Sequence, residues 1–270
     1  MGEWQAGNVI ANGIRVHYYR TGGDKPPLVL NHGATDDGLC WTRVARALEA
    51  DYDIIMPDAR GHGLSEAPES GYSSKERAAD LAGLIQALRL DRPAVGGHSM
   101  GAATTFRLAA DYPDLVRCAI LEDPGFRSAN APADESRQAR MRQTFAELTS
   151  LSREALIERC RTQSPTWDEV ELGPWADSKL RVSSKFLDNM RFRTEPPWQE
   201  VWPRIVCPVL LITSDPDKGG IVSPEAVDEA VKLNPRVEAV RLRGAGHNIR
   251  REQFEGFLEA VRAFLARAGS

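Results

Sequence analysis

Two patterns of hydrophobic and polar positions alternate along the first 123 residues. Val9-Ile10-Ala11 and residues 14–19 flank Asn12-Gly13, the strongest short signal for a hairpin turn. Residues 28–31, 54–56, 93–97 and 118–121 are short apolar runs, and they read as strands. Between them lie helical patterns at 44–48, at 102–110, and through Ala78, Leu81, Leu84, Ile85 and Leu88. The alternation returns late, with strands at 208–213 and 237–242 and helices at 225–233 and 251–267. Short strands that are apolar on both faces, alternating with helices, predict an α/β class with a parallel sheet covered on both sides.

Residues 125–203 break this rhythm. They hold helical pieces at 135–148 and 153–160 and no convincing strand. They also hold Trp167, Trp175, Phe186, Phe192, Trp198 and Trp202. A helical, aromatic insertion between two halves of a sheet reads as a cap over a pocket. The aromatic residues either line that pocket or fill a small core of the insertion, and both readings stay open. The expected organisation is a core of 1–124 and 204–270, with 125–203 as the cap.

Composition narrows the function classes. Hydrophobic residues are 42% and charged residues 27% of the 270, which excludes a disordered or low-complexity chain. With 34 basic and 38 acidic residues the net charge is −4, so no electrostatic drive toward nucleic acid or an anionic membrane is expected. Met1 to Val9 carry Glu3, Gln5 and Asn8 with no signal-peptide core, and Ala6 stands where a myristoylation signal needs Ser or Thr. A cytoplasmic location is expected. Cys40, Cys118, Cys160 and Cys207 are too widely spaced for a zinc or redox pair and read as buried thiols.

The sharpest chemical signal is Gly97-His98-Ser99-Met100-Gly101, between a predicted strand and a predicted helix. That context fits a nucleophile elbow, whose turn is so tight that the neighbours of the serine must be small. A serine hydroxyl needs a base. His247, in the loop Gly244-Ala245-Gly246-His247 after a strand, is placed to act as one. The base needs an acid, and the loop after strand 208–213 offers Asp215 and Asp217. An oxyanion needs donors, and the N–H groups of Met100 and Ala34 stand where they are required. His32 and His62 read as scaffold, His17 as a packing or surface residue, and His98 as turned away from the serine.

In sum these motifs resemble the α/β-hydrolase superfamily: His32-Gly33 after a strand, Asp58 to Ser65, the serine elbow, the Asp loop and the Gly-Ala-Gly-His loop. The resemblance implies a mostly parallel eight-stranded sheet with a helical cap. It also implies cofactor-free and metal-free catalysis by Ser99, an Asp and His247, with Ala34 and Met100 as the oxyanion hole. Family spacing favours Asp217 as the acid, then Asp215; Asp123, ending the preceding strand, is third. The implied activity is hydrolysis of a small apolar carboxylic ester or lactone by a monomer or homodimer. The alternatives are an amide or carbon–carbon bond hydrolase, a perhydrolase, or a non-catalytic receptor using the same pocket. A nucleotide-binding reading has little support, because Gly96-Gly97 is followed by no phosphate-loop lysine.

Overall fold

The computed structural model describes residues 4–126, 135–189 and 196–268. Phe192, one of the aromatic residues noted above, lies outside them. Eight strands form one sheet: β1 (Gln5–Ala11), β2 (Ile14–Arg20), β3 (Pro27–Asn31), β4 (Asp53–Pro57), β5 (Ala94–His98), β6 (Cys118–Glu122), β7 (Val209–Thr213) and β8 (Val237–Arg241). Their order is β1-β2-β4-β3-β5-β6-β7-β8. The β1–β2 and β2–β4 pairs are antiparallel, and the rest are parallel. The expected eight-stranded, mostly parallel sheet is present.

Each central strand splits its side chains between two cores, as the period of two demands. Val29, Ile55, Val95 and Leu211 face one cluster with helices α2 (Ser74–Ala87) and α3 (Met100–Asp111). Leu28, Ile54, Ala94 and Leu210 face the other, with α1 (Thr42–Leu48) and α11 (Phe254–Ala268). The chain leaves β3 toward α1 and leaves β5 toward α3, on opposite faces of neighbouring strands. A crevice opens where two such connections diverge, at the carboxyl ends of parallel strands.

Between β6 and β7 run α4 (Glu135–Thr149), α5 (Arg153–Gln163), α6 (Glu169–Arg181), α7 (Ser184–Asn189) and α8 (Trp198–Val201). Helices α6 and α7 carry no clear sequence signal; α6 even contains Pro174, in its second turn. A short helix, α9 (Pro224–Leu233), follows β7, and α10 (Ile249–Glu252) precedes α11. The final helical pattern is therefore broken at Gln253, whose φ is −133°. Among the described residues no helix is long and apolar enough to cross a membrane. All four cysteines are free and buried.

Two histidines fix the loop after β3. The His32 ring donates from Nδ1 to the Gly33 carbonyl at 2.7 Å and accepts at Nε2 from the Ala59 N–H at 2.9 Å. His62 does the same with the Arg60 carbonyl at 3.0 Å and the Thr35 N–H at 3.2 Å. Each ring can accept only while neutral. Burial lowers the His32 pKa from 6.5; burial and the neighbouring His32 hold His62 well below 6.5. His17 is buried too, against Asp58 at 3.1 Å.

Two consequences can be measured. A Cβ on Gly101 would overlap the Asn31 carbonyl oxygen, whereas nothing lies within 4 Å of one on Gly125. Gly101→Ala is expected to cost about 3 kcal/mol in urea unfolding, and Gly125→Ala to leave the midpoint unchanged within error. Nitrogen-15 correlation spectra of the imidazoles should show His32 and His62 as neutral Nδ1–H tautomers at pH 6. Unfolded rings protonate near 6.5. The contribution of these rings to stability is therefore complete above that pH, and it declines as the pH falls toward their depressed native values.

Candidate active site

Ser99 lies between the end of β5 and the start of α3, with φ 52° and ψ −109°. An L-residue holds that backbone only when its surroundings enforce it. The enforcement is steric, because a Cβ on Gly97 would overlap the backbone of Gly101. The Ser99 N–H continues the ladder to the Glu122 carbonyl at 2.9 Å. Gly97 pairs with Leu121 and His98 with Glu122, so Ser99 and Asp123 end adjacent strands side by side. Ser99 is partly exposed.

His247 reaches this edge through Asp123. Nδ1–H of His247 donates to Asp123 Oδ2 at 2.7 Å. The Asp123 side chain is fully buried, and that of His247 is 31% exposed. Asp123 also accepts from the Ile221 N–H at 3.0 Å and the Val222 N–H at 3.2 Å. Its φ of 41° turns the carboxylate off the strand toward these donors.

The carboxylate that meets His247 is not the Asp217 that spacing favours. Asp217 is exposed on the turn Pro216–Lys218, and it is Asp123 that meets His247. The reason lies in the path of the loop. Asp215 is bound by Arg241 at 2.7 Å and by the Gly244 N–H at 2.7 Å, which directs the chain outward. The Gly220 N–H then returns to the Asp215 carbonyl at 3.1 Å, bringing the next two amides onto Asp123. The loop after β7 supplies the donors that hold the carboxylate in place of the carboxylate itself.

The residue beside each of these groups also reaches the His247 loop. His98 donates from Nε2 to the His247 carbonyl at 2.9 Å, and the two rings lie 4.6 Å apart. Burial, then the nearby His247 and Arg250, hold the His98 pKa well below 6.5. Glu122 accepts from the Arg250 backbone N–H at 2.8 Å and lies 3.3 Å from its guanidinium. Burial raises the Glu122 pKa against the pull of Arg250. Sequence reasoning missed both clamps. A Glu directly before an Asp at the end of a wholly apolar strand is the one signal that marked Glu122.

Met100 begins α3, so its N–H has no partner within the helix. Among the described residues, neither this N–H nor that of Ala34 has a protein acceptor. The side chains of Ala34 and Met100 pack on Tyr72 and Phe186, with Val182 and Leu187 alongside. That wall is apolar. Of the other aromatic residues, Trp198 and Trp202 belong to a sheet-face core and surround Phe126. Trp167 lies under Arg251, and Trp175 stands 5.0 Å from the Lys179 ammonium.

Comparison with known proteins places this geometry in a family. Residues 26–250 match the family model described as the alpha/beta hydrolase fold. The chain is 30% identical to N-formylmaleamate deformylase of Pseudomonas putida, over 96% of each chain. It is 28% identical to 2-(acetamidomethylene)succinate hydrolase of Mesorhizobium japonicum, over 91% of this chain and 90% of that one. The crystal structure of an E-2-(acetamidomethylene)succinate hydrolase superposes with a TM-score of 0.82 at 24% identity, over 98% of this chain and all of the other. The chain belongs to the α/β-hydrolase family.

Proposed function

We propose that the protein is a serine hydrolase that transfers an acyl group of a small molecule to water through an ester on Ser99. The observation that carries this reading is the 2.7 Å contact of His247 Nδ1 with the buried Asp123 carboxylate, beside the strained turn of Ser99. In this reading His247 Nε2 takes the Ser99 proton as the hydroxyl attacks the carbonyl carbon. Asp123 fixes the tautomer and stabilises the imidazolium. The N–H groups of Ala34 and Met100 receive the developing oxyanion. The imidazolium then protonates the leaving group, and water attacks the acyl-enzyme by the same route.

The relatives support one bond class. One is a deformylase and the other a hydrolase of an acetamido-substituted acid. We therefore favour an amide-type N-acyl bond over the ester bond that the sequence suggests. Short esters should serve as surrogate substrates, since their leaving groups need less protonation than an amide nitrogen. The apolar wall of Tyr72, Phe186 and Met100 fits a small acyl or leaving group. We assign the cap role to α4 through α7 and leave Trp198 and Trp202 with the sheet core, where they are packed.

Three variants assayed on a short p-nitrophenyl ester and an N-formyl amide test the reading. Ser99→Ala should remove roughly 10⁴-fold or more of kcat, and Asp123→Asn about 10³–10⁴-fold. Asn tolerates a positive φ, so the second variant should keep its fold. Asp217→Asn should stay within about twofold, as an exposed position remote from the chemistry allows. Full turnover by Ser99→Ala would defeat the proposal. A wild-type protein that turns over neither class but binds both would favour the receptor alternative.

A further inference from the structure

We infer that Lys179 on α6 is a positioning residue, through which the helices between β6 and β7 set the backbone of Thr35, the residue that follows the Gly33–Ala34 peptide carrying one oxyanion donor. This rests on the hydrolase reading above, because it concerns the oxyanion of that reaction. Thr35 has a φ of 67°. A β-branched residue keeps such a backbone only under outside constraint. Two groups supply it from opposite sides of the residue. His62, from the core, accepts the Thr35 N–H at 3.2 Å. Lys179 donates from Nζ to the Thr35 carbonyl at 2.9 Å.

The ammonium of Lys179 is committed to this task. It is 3% exposed, and its other donors go to Asp36 Oδ1 at 2.7 Å and Ser178 Oγ at 3.2 Å. Asp36 continues the connection. Its Oδ2 lies 3.2 Å from Arg251 Nη2 and 3.5 Å from Arg250 Nη2. Arg250 reaches Glu122, and Arg251 reaches Glu171 at 3.0 Å. Lys179, Arg250 and Arg251 therefore face Asp36, Glu122 and Glu171 in one buried set, with α6 supplying Glu171 and Lys179. The set joins the loop of Ala34, the strand end beside Asp123 and the segment after His247. Burial would raise the Asp36 pKa, but Arg251, Lys179 and Arg250 outweigh it and hold the carboxyl well below its usual range. With α6 seated, the Thr35 carbonyl has its donor and the loop is held. With α6 lifted, Thr35 loses that donor and is free to leave its left-handed conformation.

The test uses a pair of ketone inhibitors of the full-length protein. A trifluoromethyl ketone is attacked at its carbonyl carbon by the Ser99 oxygen. The hydroxyl proton passes to His247, and the carbonyl oxygen becomes an alkoxide in the oxyanion site. The matching methyl ketone binds without forming that anion. Lys179→Met keeps the apolar stem and leaves Asp36 paired with both arginines. It should weaken the trifluoromethyl ketone about 10- to 100-fold and lower kcat in parallel. Methyl ketone affinity and KM should stay within about threefold. Lys179→Arg retains the buried charge but not the position of the donor, and is expected to lose the same selectivity; it stands in if the Met variant does not fold. Asp177→Asn, on the same helix as Lys179, breaks an exposed pair with Arg153 of α5 and should change neither inhibitor. Equal weakening of both ketones in the Lys179 variants, or no weakening, overturns the inference. If the wild type binds the trifluoromethyl ketone no better than the methyl ketone, the hydrolase reading fails and the inference falls with it.

Discussion

A buried carboxylate must find hydrogen-bond donors or give up its charge, and Asp123 finds them on two separate loops. Ile221 and Val222 offer backbone N–H groups, and His247 offers its ring. Hydrogen bonds to an ionised acceptor are about twice as strong as neutral ones. This one side chain therefore ties the end of β6 to the loop after β7 and to the loop after β8. The tie makes sense only on a parallel sheet, where those strands all end at one edge. Ser99 stands on the neighbouring strand at the same level.

Behind this row lies a second layer of charge. Glu122, Asp36 and Glu171 face Arg250, Arg251 and Lys179, all nearly inaccessible to solvent. Buried ion pairs return little net stability, because the desolvation they require offsets most of their attraction. What such a set does supply is position, since removing one member leaves another without a partner. The imidazoles of His32, His62 and His98 contribute in the same way, each spanning two backbone groups or packing on His247. The edge of the sheet is thus organised by polar groups, and the two faces by hydrophobic ones.

The local features of the site were legible because their physics is local. A serine at a positive φ between a strand and a helix demands small neighbours within two residues, and Gly97 and Gly101 show that demand in the sequence. The loop of His247 shows in the sequence through its small residues Gly244, Ala245 and Gly246, although Asp215 and His98, which hold it, come from other strands. The carboxylate partner of His247 was not legible in this way. Asp123 and Asp217 follow adjacent strands, and either strand end can face His247. The choice is made by the Arg241 contact that draws Asp215 outward and by the return of Gly220, neither of which has a sequence period. Helix α6 escaped for a related reason. Its buried face includes Glu171, Ser178 and Lys179, whose burial depends on partners from distant loops. A hydrophobic pattern cannot reveal a face that is held by charge.

In the proposed reaction Ser99 is a nucleophile activated by His247 across the edge of the sheet. Peptide mapping by mass spectrometry after treatment with a fluorophosphonate measures this most directly, because the reagent bonds to an activated serine without needing the natural substrate. One adduct on Ser99, formed by the wild type and lost in His247→Ala, is the predicted result. No adduct, an adduct on another residue, or equal labelling without His247 would contradict the account.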